Sequence, residues 1–304
     1  MKKYLTLTLR NCKMYVYSKG NVFFSVLSML IVLLVMGVFL GNMNVSAVTE
    51  LLKEYGGERN IAADTAAAEN IVRLWTMAGI IMTNSVMVSL TLISNSVDDN
   101  THGRAKSLYC APVERFTVSL SYITSAVIMS SFACLLTTAV SLIYNVICGG
   151  TMLSPAEIAG LLGVSLLSSC LFSSIMYAVS IPIKSSGAWS GFGTVTGTLV
   201  GFLGAIYVPI GSLPDAVAEI LRYLPFMHIT SLLRKISCSS AVESTFSGLP
   251  TQVADGYNEA MGITVKFGGS EFTDGAQFAF IGLFLAVALA IIIITEKKKN
   301  TTDR

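Results

Sequence analysis

Side chains that could carry out chemistry are few and widely separated along the 304 residues of this sequence. Its two histidines are His102 and His228, and none of its six cysteines belongs to a Cys-x-x-Cys pair. A structural zinc site needs clustered cysteine and histidine ligands. The sequence also lacks Gly-x-x-x-x-Gly-Lys-Ser/Thr, which holds nucleotide phosphates, and His-Glu-x-x-His, which holds a catalytic metal. It therefore predicts no catalytic residue, no cofactor and no metal site.

One segment nevertheless concentrates charged and hydrogen-bonding side chains. This polar segment, residues 95–115, lies between two long apolar runs and contains Asp98, Asp99, Arg104 and Lys106. These charges could pair with opposite charges on a docked partner protein. The alternative is a plain polar loop that only turns the chain.

Three other residues of the polar segment suit a turn followed by a helix. Gly103 can adopt the positive φ of a tight turn. Pro112 suits the first turn of a helix, where its missing N–H is not needed. Arg115 can extend its side chain to lipid headgroups.

The elements on either side of the polar segment are those of a membrane protein. The chain is 53% hydrophobic and 12% charged, whereas an ordinary soluble domain has about 25% charged residues. The mean hydropathy is +0.68. The formal charge of +2 is too small to indicate a nucleic acid partner. Because lipid leaves no backbone polar group unpaired, we expect an all-α integral membrane protein.

Six apolar runs are long enough to cross a hydrocarbon core of about 30 Å. We expect one transmembrane domain, residues 21–304, with spans at 22–40, 74–94, 116–148, 158–183, 188–210 and 278–295. None of these runs contains Asp, Glu, Lys or Arg, which argues against a proton-coupled pump. Residues 42–73 and 237–277 are expected to be external loops.

Residues 208–236 are apolar only in pieces. Arg222 interrupts the run, and prolines break it into stretches too short to cross the membrane. Such stretches are typical of re-entrant segments. We therefore expect two short helices that dip into one leaflet between spans five and six.

Charge sets the orientation of the spans. With both termini in the cytoplasm, the inner segments contain 13 of the 20 Lys and Arg residues and only 5 of the 18 Asp and Glu residues. This is the bias of the positive-inside rule. Residues 1–20 are basic and apolar in alternation, which fits an amphipathic helix on the inner membrane surface. The alternative is a frayed tail that only sets topology.

The roles of three groups of residues are left open by the sequence: glycines of span five, hydroxyl groups of span three and two cysteines. Gly193, Gly197 and Gly201 share a face of span five, where they allow close packing within or between subunits, or a hinge. The many hydroxyl groups of span three could serve helix packing or line a polar substrate path. Cys148 and Cys238 could both lie outside the membrane, so a disulfide between them is left open.

Four residues of the polar segment stand at offsets 0, 5, 9 and 12: Gly103, Leu108, Pro112 and Arg115. Their order resembles the cytoplasmic loop between spans two and three of ABC transporter permeases of the type-2 (exporter) class. In that class an acidic residue precedes the glycine, and Asp98 and Asp99 stand for it here. The chain departs from the family pattern at Asn100 and Arg104, which replace a basic residue and a threonine.

A second part of the resemblance follows span five. The family has a similar proline-spaced outer segment, which corresponds here to Pro209, Leu213, Pro214, Pro225 and the basic residue Arg234. The basic amphipathic start of the chain fits as well. The resemblance therefore covers the layout of nearly the whole chain.

The resemblance implies a permease subunit of an ATP-driven exporter. Separate ABC ATPase subunits would dock on the polar segment and on the N-terminal helix, and a second permease copy would complete a homodimer or heterodimer. The expected cargo is a hydrophobic or amphipathic drug, antibiotic, peptide or lipid. The expected location is a bacterial plasma membrane, in contact with its lipids. The alternatives are a secondary transporter or channel, and a membrane scaffold or immunity protein.

Overall fold

The computed structural model describes residues 2–20, 22, 23, 27, 30, 41–56, 60–105, 113–267 and 270–302. Within these ranges the helices are α1 Lys2–Tyr17, α2 Gly41–Gly56, α3 Ile61–Thr101, α4 Arg115–Ile147, α5 Pro155–Ser180, α6 Ser186–Leu203, α7 Asp215–Arg222, α8 Pro225–Thr245, α9 Thr251–Ala260 and α10 Asp274–Thr302. A 3-10 turn, Ile210–Ser212, precedes α7. Strands β1 Lys266–Phe267 and β2 Ser270–Glu271 form an antiparallel pair.

The central element is α3, which contacts α1, α2, α4, α5, α6 and α8. Its apolar stretch is 89% buried, whereas that of α10 at the periphery is 17% buried. Asn60 caps the start of α3 by accepting hydrogen bonds from the amides of Ala62 and Ala63. At 41 residues, α3 is about 60 Å long, roughly twice the hydrocarbon thickness. One continuous rod therefore connects the two ends of the bundle.

The length of α3 corrects the prediction for the polar segment. Its first seven residues, 95–101, were expected to leave the helix, but they continue α3 to Thr101. No proline or glycine interrupts this stretch. The helix ends only at the His102 cap, which is followed by Gly103 with φ +72°. Gly103 thus has the positive φ expected of it.

Four helices in the described part of the chain are long and apolar enough to cross a membrane: α3, α4, α5 and α10. They contain the predicted spans two and six, and all of spans three and four except residue 148 and residues 181–183. The predicted span 22–40 lies mostly outside the described residues. The predicted fifth span, 188–210, is cut short because α6 ends at Leu203 and Ala205 adopts a positive φ of 48°. Six spans therefore remain a prediction.

The segment expected to be re-entrant contains two helices, but the second is longer than predicted. Pro209 and Pro214 are the N-caps of the 3-10 turn and of α7, and Leu213 is the C-cap of that turn. Pro225 occupies the first turn of α8, where a missing N–H costs nothing. Helix α8 continues past residue 236 to Thr245 and packs on α3, α5 and α10. The region 237–277, expected to be a loop, therefore contains the end of α8, α9 and the strand pair.

Hydroxyl groups pair directly between the central helices. Ser85 and Ser89 of α3 share hydrogen bonds of 2.6 and 2.9 Å with Ser168 and Ser173 of α5. The amide of Asn84 donates to Thr137 of α4 at 2.6 Å. The contact of Thr137 favours the packing role of the hydroxyl groups of span three.

The glycines of α6 also pack within the chain. A Cβ atom on Gly193 or Gly197 would lie 3.2 Å from Leu90 or Met87 of α3. At Gly201 it would lie against the ring of Tyr207. The described cysteines are all free, with Cys148 exposed and Cys238 buried, so the structure contains no disulfide between these two.

Candidate functional site

The C-terminal end of α3 carries a buried carboxylate bound by side chains from three other parts of the chain. Asp99 Oδ2 accepts hydrogen bonds from Arg10 Nη2 of α1 at 2.8 Å and from the Tyr122 hydroxyl of α4 at 2.6 Å. Its Oδ1 lies 3.2 Å from Nε of Arg104, just beyond the end of α3. We call these four residues the Asp99 cluster. It joins α1, α3, α4 and the turn of the polar segment at one point.

The charges of the Asp99 cluster explain why the carboxylate can be buried there. A carboxylate in the last turns of a helix faces the negative end of the helix dipole, which disfavours it. A buried charge also needs a close partner. Two guanidinium groups supply the compensation. Burial acts to lower the pKa of Arg10, but its interactions with Asp99 and Tyr122 raise that pKa above the ordinary value.

The neighbouring carboxylate, Asp98, connects the same end of α3 to α6. The hydroxyl of Ser186, the first residue of α6, donates a hydrogen bond to Asp98 Oδ1. The hydroxyl of Thr101 donates to the backbone carbonyl of Lys184 at 3.4 Å. The last turn of α3 is therefore joined to α1, α4 and α6 by polar contacts.

Helix α1 lies on α4 with its polar side turned inward. Thr8, Asn11 and Tyr15 form its buried face. The hydroxyl groups of Tyr4 and Thr124 share a hydrogen bond of 2.6 Å. The structure thus forms the N-terminal helix that was expected, although its position on a membrane surface remains a prediction.

The predicted residues of the polar segment fall into two groups. Asp98, Asp99, Gly103 and Arg104 lie together at the end of α3, and Arg115 begins α4. The other three lie outside the described residues: Lys106, Leu108 and Pro112.

Sequence reasoning missed Arg10, Tyr122 and Ser186 as members of this site. Arg10 was counted only as one more cation that sets topology. Tyr122 and Ser186 resemble any other polar residue of an apolar helix. A contact between Arg10 and Asp99 depends on how α1 packs, and no local pattern reveals it.

A second buried charge contacts α3 through Trp75, 24 residues before Asp99. Arg234 of α8, counted in the sequence among the external cations, is fully buried. Its Nη2 donates to the carbonyl of Ala205 at 2.7 Å and its Nη1 to that of Met261 at 3.1 Å. Its guanidinium carbon lies 4.0 Å from the ring centre of Trp75. We call Arg234 with these three partners the Arg234 anchor.

Helix ends compensate the charge of Arg234, since none of the described carboxylates forms an ion pair with it. Ala205 follows the cap of α6, and Met261 is the cap of α9. The carboxyl end of a helix carries about half a negative charge. The face of Trp75 adds a cation–π contact, and its indole N–H donates to the carbonyl of Met261 at 2.8 Å.

These features define a class of protein: a multi-pass helical membrane protein whose charged network lies at the end of its central helix. No cluster of potential metal ligands occurs among the described residues. The family model of the ABC-2 family transporter proteins matches residues 59–295, more than three quarters of the chain, and the chain belongs to this family. The expected membership of an ABC transporter permease family is thereby confirmed. No curated protein matches the chain.

Membership gives the chain its general role. It is a membrane component of an ABC transporter, and the family implies an ABC ATPase partner in general.

Proposed function

We propose that this chain is the permease subunit of an ATP-driven exporter, and that a separate ATPase subunit drives it through the polar segment. The observation that carries the proposal is the Asp99 cluster. It connects the turn that follows α3 to α1, α3 and α4 through ion pairs and a hydrogen bond of 2.6–3.2 Å.

The central position of α3 supports this role. A force on the turn at Gly103 and Arg104 acts on the end of a continuous helix that touches six others. Because Asp99 also binds Arg10 and Tyr122, α1 and α4 would move with that end. Packed helices shift as units rather than deform. A small displacement at the turn would therefore reorient several spans.

The outer face of α6 supports a second permease copy. Gly191, Thr194, Val195 and Thr198 are exposed on this helix, while its other side packs on α3. Small residues allow another helix to approach closely. Two copies meeting near α6, identical or similar, would enclose the transport path. A hydrophobic or amphipathic cargo, such as a drug, antibiotic, peptide or lipid, suits the apolar spans.

The first experiment tests whether an ATPase copurifies with the tagged chain. It also tests whether ATP hydrolysis by that ATPase is coupled to export. A charge reversal, Arg104→Glu, places two carboxylates together and should abolish export of a lipophilic dye and its stimulation of ATP hydrolysis. The matched control is Lys235→Glu, which reverses another half-exposed cation whose ammonium lies 2.8 Å from Asp274. It should retain at least half of the export.

Three outcomes contradict the proposal. One is that no ATPase copurifies with the unmodified chain. Another is that both charge reversals reduce export equally. The third is export that continues without ATP but stops when the ion gradient is dissipated, which would indicate a secondary transporter.

A further inference from the structure

The face of α1 that does not pack on α4 combines apolar side chains with positive charge. Leu5, Leu9, Val16 and Tyr17 are 51–80% exposed. Residues 1–20 contain five basic residues and no acidic one. A helix in contact with water normally turns its apolar residues inward, whereas α1 buries Thr8 and Asn11 instead.

A groove of about 540 Å³ runs along this exposed face. Its lining residues recur every three or four positions, which places them on one side of the helix: Thr6, Leu9, Arg10, Lys13, Met14 and Tyr17. Two cations thus lie between apolar side chains.

The Asp99 cluster holds one of these cations in place. Arg10 donates through Nη2 to Asp99 and through Nη1 to Asn11 at 3.3 Å. Its side chain remains 33% exposed, and a guanidinium has five N–H donors. Donors are therefore left for a further acceptor at the groove. Guanidinium groups bind phosphate oxygens in this way.

We propose that this groove binds the headgroup phosphate of an anionic phospholipid through Arg10 and Lys13. The acyl chains would cover Leu5, Leu9 and Val16. An acidic segment of a protein partner would satisfy the two cations but would leave this apolar row uncovered. Basic and apolar residues together on one helix are typical of binding to an anionic membrane surface.

Binding would extend the Asp99 cluster to the membrane. The phosphate, Arg10 and Asp99 would form a continuous chain of charged contacts, so the lipid would hold α1 on α4. The lipid site itself does not require the chain to be an ATP-driven exporter. It can be tested on the purified full chain without any ATPase.

Native mass spectrometry of the purified chain, titrated with phosphatidylglycerol or phosphatidylcholine, measures binding directly. We expect preferential binding of phosphatidylglycerol. Lys13→Gln should weaken it about fivefold, the effect expected for one lysine at an anionic surface. The matched control is Lys184→Gln, which removes another exposed lysine predicted to lie on the same membrane side.

A second measurement uses nanodiscs of phosphatidylcholine with and without phosphatidylglycerol. A ligand that binds only the folded chain raises its thermal unfolding midpoint. The anionic lipid should raise the midpoint of the unmodified chain and of Lys184→Gln more than that of Lys13→Gln.

Equal binding of the two lipids, or equal loss in the two variants, would overturn the lipid site. So would Lys13→Gln binding phosphatidylglycerol normally but failing to copurify with the ATPase. That result would assign the groove to a protein partner while leaving the exporter proposal intact.

Discussion

The two buried charges at the ends of the bundle are compensated in opposite ways. Asp99 is bound by side chains, and two of these belong to residues that are themselves 33% and 54% exposed, Arg10 and Arg104. Arg234 is bound by two backbone carbonyls and by the fully buried ring of Trp75. One charge has partners at the surface, and the other has partners inside the packed core.

This difference separates a site that can change from one that cannot. A side-chain ion pair can be exchanged when a neighbouring segment moves, because water can solvate the released guanidinium groups. A carbonyl at a buried helix end cannot be released without leaving a costly unpaired group. The Asp99 cluster is therefore suited to transmit movement, and the Arg234 anchor to resist it.

The largest loss of stability is expected from a substitution in the Arg234 anchor. Arg234→Gln removes the buried cation and leaves the carbonyls of Ala205 and Met261 without their donors. A buried acceptor left without its donor costs about 1–3 kcal/mol, and here there are two. We expect a much lower thermal unfolding midpoint for the detergent-purified chain.

Arg222→Gln is the control for the anchor, because this half-exposed side chain forms no ion pair among the described residues. Its effect should stay within about 0.5 kcal/mol. A similar midpoint in both variants would show that Arg234 anchors nothing.

The second expected effect is at the Asp99 cluster, where function should change more than stability. Asp99→Asn keeps the shape but removes the negative charge between two guanidinium groups. Because these groups reach water, we expect a stability loss of only about 1–2 kcal/mol. Export and substrate-stimulated ATP hydrolysis should nevertheless be lost.

Tyr122→Phe removes one donor to the same carboxylate and should cost about 1 kcal/mol. Most of the export should remain, since both arginines still bind Asp99. If Asp99→Asn exported normally, the cluster would be a structural ion pair and not a coupling site.

The two sites also differ in how far the sequence could predict them. The polar segment was recognisable because charges and a glycine interrupt two apolar runs. Arg234 was counted only as an external cation, and its burial was not predictable because arginine is seldom fully buried. Its environment is made by Ala205, Met261 and Trp75, which lie far apart in the sequence and meet only after packing.

The predicted ends of two helices were wrong for a related reason. Hydropathy marks the apolar part of a helix, so α3 and α8 were each predicted to end where polar residues begin. Both helices continue, because polar residues do not break a helix that its neighbours support. Only Gly103 and the turn after Thr245 end them. The positive φ of Gly103 was predictable, since glycine adopts it without strain.

Two glycines, one near the Arg234 anchor and one beside the Asp99 cluster, allow the two sites to be compared again. A Cβ atom on Gly201, near the anchor, would meet the ring of Tyr207, whereas one on Gly103 would meet nothing within 4 Å. Gly201→Ala should therefore cost about 1–3 kcal/mol by overpacking. Gly103→Ala carries only the strain of its positive φ, about 1–2 kcal/mol.

Export should be reduced more by Gly103→Ala than by Gly201→Ala, the reverse of their expected order in stability. Gly103→Ala alters the turn that is proposed to receive the force, and Gly201→Ala alters only packing. Dye export per folded molecule, measured beside the unfolding midpoint, distinguishes the two effects. A Gly103→Ala variant that exports normally would place the driving contact elsewhere.

The smallest expected effect is at the surface near the strand pair. Lys235 lies 2.8 Å from Asp274 and 3.7 Å from Glu271, but all three side chains are substantially exposed. Exposed ion pairs contribute about 0.2–1 kcal/mol and are screened by salt. Lys235→Gln should therefore lower the unfolding midpoint slightly at low salt and not at high salt.

Lys235 is adjacent to Arg234 in α8, so comparing Lys235→Gln with Arg234→Gln tests the effect of burial rather than of position in the helix. If Lys235→Gln were as damaging as Arg234→Gln, surface charges would hold this end of the bundle, and the contrast between a fixed and an adjustable end would fail.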